Sequence, residues 1–202
     1  MRVYIALLFL ILVACNKPAS PRDYTKCTFA YDPANAKVKW TAYKFTERLG
    51  VHGTFDKVNL FGSREGMTVA AVFSGATFYA ETISVNSGNA ERDAKIRSAF
   101  FVTLKEGSQI SGKFESFSGE SATIFLRLGG VTKSVVAKVD ATQLPDLKVS
   151  FPLDLNEFGA APALEALNKV CSVLHRGKDG KSVVWPDISI TISARLATNC
   201  LN

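Results

Sequence analysis

The amino-acid sequence predicts a mainly β protein: a single antiparallel β-barrel of about eight strands with two short helices, behind an export segment. Three observations carry that reading. Apolar and polar residues alternate with period two along much of the chain, which marks strands with one buried face. Glycines at Gly50, Gly53, Gly62, Gly66, Gly75, Gly107, Gly119 and Gly129-Gly130 fall between or within the alternating segments, where a chain turns or bends. Only two segments lose the period, and they do not fall regularly between strands, which argues against a βαβ series. With 202 residues, 47% hydrophobic and 21% charged, the chain has the material for one large core. That composition is not that of a disordered, collagenous or coiled-coil protein.

The elements follow in order. Met1-Arg2 is a minimal positive start, and the apolar run Val3 to Val13 follows it. A bilayer-spanning helix needs ~20 apolar residues, so this run suits a signal-peptide core. Leu12-Val13-Ala14-Cys15 resembles the bacterial lipobox. That resemblance implies cleavage before Cys15 and acylation of its sulfur. Residues 1–14 are then a lipoprotein signal peptide, and 15–26 a lipidated cysteine with its tether. Pro18, Ser20 and Pro21 keep the tether extended. Residues 27–202 form the barrel domain. The implied location is the bacterial cell envelope, facing the periplasm. Asn16, rather than Asp, after the cysteine suggests the outer membrane by resemblance to enterobacterial sorting.

Val38, Trp40 and Ala42 alternate with Lys37, Lys39 and Thr41. Further strands are expected near 51–61, 68–74 and 76–85. Asn89 to Phe101 opens on a capping Asn and reads as the first helix. Ile110, Gly112 and Phe114 form the apolar phase of the next strand, and Ile124, Leu126 and Leu128 that of the one after. Gly129-Gly130 reads as a hairpin turn before a strand over 132–141. Leu147, Val149, Phe151, Leu153 and Leu155 alternate with Lys148, Ser150, Pro152 and Asp154. Pro162 to His175 is the second helix, with Leu164, Leu167, Cys171 and Leu174 at 3-4-3 spacing and Gly177 beyond its end. The last strand is the cleanest: Ile188, Ile190, Ile192, Ala194 and Leu196 on one face.

Strands with one apolar face must stack as a sandwich or close on themselves, and closure removes their edges. A membrane-spanning barrel would turn the apolar face outward; Lys and Glu on the polar phases suit a solvated exterior instead. The inward set is expected to include Trp40, Phe73, Phe78, Phe114, Leu126, Phe151 and Ile190. At 68–85 both phases are apolar, and a one-residue slip exchanges Phe73 for Val72. Cys27, Cys171 and Cys200 allow one internal bridge. Closure brings the two ends of the domain together, which favours Cys27–Cys200 and leaves Cys171 a buried thiol.

Residues for catalysis are scarce. The chain has two histidines and four cysteines. There is no CxxC, no GxSxG elbow and no phosphate-binding loop. Cys171 and His175 stand i, i+4 and share a helix face, which is half a metal site or part of a core stripe. His52 reads as a rim residue, and Arg92-Asp93 as helix capping and surface pairing. The net charge of +6 comes from scattered residues, and nucleic-acid binding needs a concentrated patch. No catalytic residue, metal or cofactor is expected. Fourteen Phe residues and few polar groups fit an interior that holds an apolar molecule. The other reading is a filled barrel in a structural or interaction lipoprotein.

At this point the chain resembles the YceI-like family of bacterial exported lipid-binding proteins. Tyr31-Asp32-Pro33 followed by Val38-Lys39-Trp40 resembles the family's opening. Leu49 to Phe55 (LGVHGTF), Ser84 to Gly88 (SVNSG), Arg92-Asp93, Ile96 to Phe101 (IRSAFF), Ile110 to Ser116 (ISGKFES), Leu128 to Lys133 (LGGVTK) and Leu155 to Gly159 (LNEFG) follow in the family's order. The resemblance implies a lipocalin-like antiparallel barrel that binds an isoprenoid lipid or quinone, with no enzymatic activity. Arg48, Ser134 and Ala99 depart from the family's usual His, Pro and Asp, and Ala160 to Trp185 is an insert carrying an extra helix.

Overall fold

Period-two alternation becomes one long curled sheet in the computed structural model, which describes residues 24–201. Along the chain come β1 (Cys27–Ala30), β2 (Ala36–Lys44), β3 (Leu49–Phe55), β4 (Val58–Phe61), α1 (Val69–Phe73), β5 (Thr77–Glu81) and β6 (Val85–Asn86). α2 (Ala90–Lys95) runs on into a π-helical turn over Ile96–Phe101. β7 (Gln109–Ser118), β8 (Ser121–Leu128), β9 (Val131–Gln143), β10 (Asp146–Asp154), α3 (Ala161–Val170), β11 (Asp187–Arg195) and β12 (Ala197–Cys200) complete it. Ten strands form one antiparallel sheet in the order β4-β5-β7-β8-β9-β10-β11-β2-β3-β6. The sheet curls into a half-barrel of the lipocalin-like kind.

The two outer strands, β4 and β6, do not pair with each other. They meet at one corner, where the Asp56 N–H donates to Ser84 O at 3.0 Å and the Glu81 N–H to Lys57 O at 3.1 Å. Closure is therefore partial, where eight strands in a full ring were expected. β1 pairs instead with β12, and Cys27 stands opposite Cys200. The bridge is Cys27–Cys200, and Cys171 is a buried free thiol.

Alternation in the sequence becomes alternation in burial most clearly in β10. In β10 Leu147, Val149, Phe151 and Leu153 are buried while Lys148, Pro152 and Asp154 are exposed. Gly129 and Gly130 join β8 to β9 with φ of 61° and 77°, the left-handed pair that a two-residue hairpin requires. Asn89 caps α2, its side chain accepting from the Arg92 N–H at 2.8 Å.

Four segments depart from the sequence expectation. The segment 68–74 is a helix, not a strand. Thr68 caps it by accepting from the Ala71 N–H at 3.1 Å, and Val69, Val72 and Phe73 stand at i, i+3 and i+4. That spacing puts apolar residues in both phases of a strand reading. The 51–61 strand breaks at Asp56-Lys57 into β3 and β4, and 76–85 ends in a 3-10 turn over Thr82–Ser84. The helix expected to reach His175 stops at Val170, and with α1 the described residues hold three helices rather than two. The signal peptide, Cys15 and the tether up to Asp23 lie outside the described residues.

Candidate functional site

The concave face of the sheet is filled differently at its two ends. Near β1, the side chains of Phe29, Val72, Phe73, Phe114, Ile124 and Val139 are at most 6% exposed. Phe114 stacks on Phe117 at 5.7 Å and meets Phe73 at 6.1 Å, within the range of favourable ring pairs. Elsewhere the inward residues of β11, Ile188, Ile190 and Ile192, are only half-buried although they belong to the apolar face. They face space rather than packed atoms.

That space is an apolar cavity of about 560 Å³, within the range of small-molecule sites. Its wall runs along β2 from Ala36 to Ala42. At ~3.3 Å per residue that is about 20 Å, so the shape suits an extended chain. β10 adds Phe151 and Leu153, and β5 adds Phe78 and Ala80. The helical segments close it: Ile96, Phe100 and Phe101 from the π-turn, Leu164 and Leu167 from α3, then Val184 and Trp185.

Few polar groups reach the wall, and most already have partners. The Trp40 indole N–H donates to Thr54 O at 3.2 Å, which leaves the ring as apolar surface. Gly53 permits this placement, because a Cβ there would overlap Trp40 Cζ2. The Asn86 side-chain amide donates to both Asp56 carboxylate oxygens, at 3.1 and 2.9 Å. Tyr31 meets Phe73 at 6.0 Å, and burial, then Asp32, pushes its phenol above the usual tyrosine range. The arrangement can hold an apolar molecule; it brings together no acid, base and nucleophile.

Of the seven residues expected to face inward, Trp40, Phe78, Leu126, Phe151 and Ile190 are on the cavity wall, and Phe73 and Phe114 are not. Phe73 sits on α1, and α1 packs on β7. The Gly75 N–H donates to Phe114 O at 2.7 Å, so the helix covers Phe114 and fills that end. Sequence reasoning missed Phe100, Phe101, Leu164, Leu167 and Trp185. The 3-4-3 spacing around Leu164 and the paired Phe residues were their only signals.

The remaining candidates resolve structurally. His52 is exposed and its Nδ1 lies 2.9 Å from Thr41 Oγ1. Asp93 is buried, contrary to a surface pair: its carboxylate accepts from the Ser87 N–H at 2.9 Å and from the Ser87 hydroxyl. Arg92 turns to the same loop, donating to Ser87 Oγ at 2.7 Å and to Ser87 O at 2.8 Å. Together they pin the loop after β6, whose two residues Val85 and Asn86 line the cavity.

The His175 ring faces Asn168 Oδ1 at 3.1 Å rather than a metal partner. Burial, with Lys44 and Lys95 nearby, pushes His175 down to about 4. Burial raises the Cys171 thiol. No group of three or more potential metal ligands converges among the described residues.

The departures also find roles. Arg48 lies over the Tyr43 and Trp185 rings, 4.9 and 4.6 Å from their centroids, and pairs with Asp187. The hydrogen bond from Arg48 lowers the Asp187 carboxyl. The clamp holds Trp185 against the cavity wall. Ala99 is buried, where an Asp would be a costly charge. Ser134 is exposed on β9.

A family model described as the YceI-like domain matches residues 29–196. The chain belongs to the YceI-like family. Solved structures with the same fold include a polyisoprenoid-binding domain from Saccharophagus degradans implicated in plant cell wall breakdown. It is 14% identical, with a TM-score of 0.57, over 88% of this chain and 99% of that one. BcnA of Burkholderia cenocepacia is 15% identical, with a TM-score of 0.55, over 84% and 99%. A YCEI protein of Campylobacter jejuni is 17% identical, with a TM-score of 0.53, over 78% and 90%. No curated protein sequence matches this YceI-like chain.

Proposed function

We propose that this YceI-like protein is a lipid-anchored periplasmic carrier or sequestering protein. It holds an apolar, isoprenoid-type chain, a polyprenyl lipid or quinone, inside the half-barrel. The observation that carries the reading is the cavity along β2 and β11, about 560 Å³ and walled by apolar side chains. Burial at ~25 cal/mol per Å² of apolar surface supplies affinity without a dedicated polar group. The row of half-buried isoleucines on β11 supports this reading, because a protein gains by covering such surface. The lipobox at Cys15 and the polyisoprenoid-binding relative in S. degradans support the envelope location and the ligand class. No enzymatic step is assigned.

Solvent extraction of the purified full chain, followed by mass spectrometry, tests the reading. An isoprenoid lipid or quinone is expected in the extract. Ile190→Trp fills the space from β11, which is not tightly packed, so the variant should fold and come out without lipid. Phe114→Ala lies off the wall. It should lose about 3–5 kcal/mol of stability and keep its lipid. Lipid-free parent protein, or lipid retained by Ile190→Trp, overturns the proposal.

A further inference from the structure

α3 has two faces. Leu164 and Leu167 turn to the cavity, while its C-terminal end and the loop beyond it point out. Val170, Val173 and Leu174 are 54%, 80% and 55% exposed. They sit between Lys169 and Arg176, with Lys178 and Lys181 just beyond; Asp179 is the one acidic residue between 169 and 181. Asp179 is occupied, since its carboxylate accepts from Thr46 Oγ1 at 2.7 Å and from the Lys181 N–H at 3.0 Å.

This is a built projection. The Val183 N–H donates to His175 O at 3.1 Å, the Gly177 N–H to Lys181 O at 2.9 Å, and Asn168 Nδ2 to Ser182 O at 3.3 Å. Lys44 donates to Leu174 O at 3.2 Å, and its register partner on β3, Leu49, is 54% exposed. Single exposed apolar residues are ordinary; a cluster rimmed by charge marks a contact surface.

The geometry points to an anionic lipid surface as the partner of this projection. Apolar side chains interleaved with lysine and arginine are the pattern of interfacial membrane contacts. Each Lys or Arg near an anionic bilayer adds about 1 kcal/mol. A protein partner would need acidic groups opposite four cations whose spacing is fixed by the loop; a fluid bilayer supplies them without a fixed pattern. Docking here is independent of what the cavity holds. It would bring the cavity's α3 wall next to the bilayer.

The test uses the chain with Cys15→Ser, so that no acyl anchor contributes, and with Val173→Cys carrying an environment-sensitive nitrobenzoxadiazole label. Parent chain treated in the same way corrects for label on other thiols. Vesicles of phosphatidylglycerol with phosphatidylethanolamine should shift the emission to the blue, and added salt should reverse the shift by screening. Vesicles of phosphatidylcholine should not shift it. Lys169→Gln, Arg176→Gln and Lys178→Gln together should weaken the response on the order of a hundredfold. Because these side chains are exposed, circular dichroism and extracted lipid should stay unchanged, which separates this test from that of the cavity.

No shift with phosphatidylglycerol overturns the proposal, and so does an equal shift with phosphatidylcholine. A concentration-dependent shift without vesicles would mark a contact between copies and overturn it as well.

Discussion

His175 shows why spacing alone does not make a metal site. Its i, i+4 relation to Cys171 reads as half a metal site or part of a core stripe; the backbone leaves the helix at Cys171 and the ring turns to Asn168. Burial, with Lys44 and Lys95 nearby, holds it neutral, titrating at about 4 against an unfolded value of 6.5. Between those values the unfolded chain binds the proton and the folded chain does not, so stability falls as pH drops from 6.5 toward 4. The ring is only part-buried, so after solvent screening the loss is about 1–2 kcal/mol. Denaturant unfolding across this range should show a shallower fall for His175→Gln than for the parent. An identical fall in both chains would remove His175 from the cause. Asp93 departs from its sequence reading. A neighbouring Arg and Asp look like a surface pair in sequence, yet the two side chains converge on Ser87 rather than on each other.

Strands with a strict period were legible because burial on one face is a sequence property. β2, β10 and β11 all follow it. α1 was not legible, because Val69, Val72 and Phe73 satisfy a helical period and crowd both phases of a strand. That one element decides which inward residues meet the cavity, so Phe73 and Phe114 went with it to the packed end. α3 was legible as an apolar stripe, but the empty volume beneath it is a property of three-dimensional spacing. β1 and β12 are short and pair only with each other; the terminal position of their cysteines was the readable signal. The Cys27–Cys200 bridge closes a loop with a sequence separation of 173. Constraining so long a loop stabilises by about 2–5 kcal/mol. Cys27→Ser with Cys200→Ser should lower the unfolding midpoint accordingly. Tyr24 and Phe29, 6.0 Å apart, should gain the earliest amide exchange. An unchanged midpoint would show that β1 and β12 hold without the bond.

Across the whole molecule, the chain enters and leaves at one end of β2, and the basic projection stands at the other. β1 and β12 lie near Ala36, while Lys44 touches Leu174. The eight steps along β2 from Ala36 to Lys44 put about 26 Å between them. An acyl anchor at Cys15 and a docked projection would be two separate attachments to one bilayer. The two attachments differ physically. Acyl chains are held by burial of CH₂ groups, about 0.8 kcal/mol each, and salt does not weaken that. The projection is held largely by charge, and salt screens it. Replacing residues 1–15 with an export signal that lacks the cysteine should leave an exported domain that stays on membranes at low ionic strength and washes off in high salt. The parent chain should resist both washes. If the protein without Cys15 survives the high-salt wash, the anchor is not at Cys15. If it is soluble even at low salt, the projection adds nothing to membrane attachment.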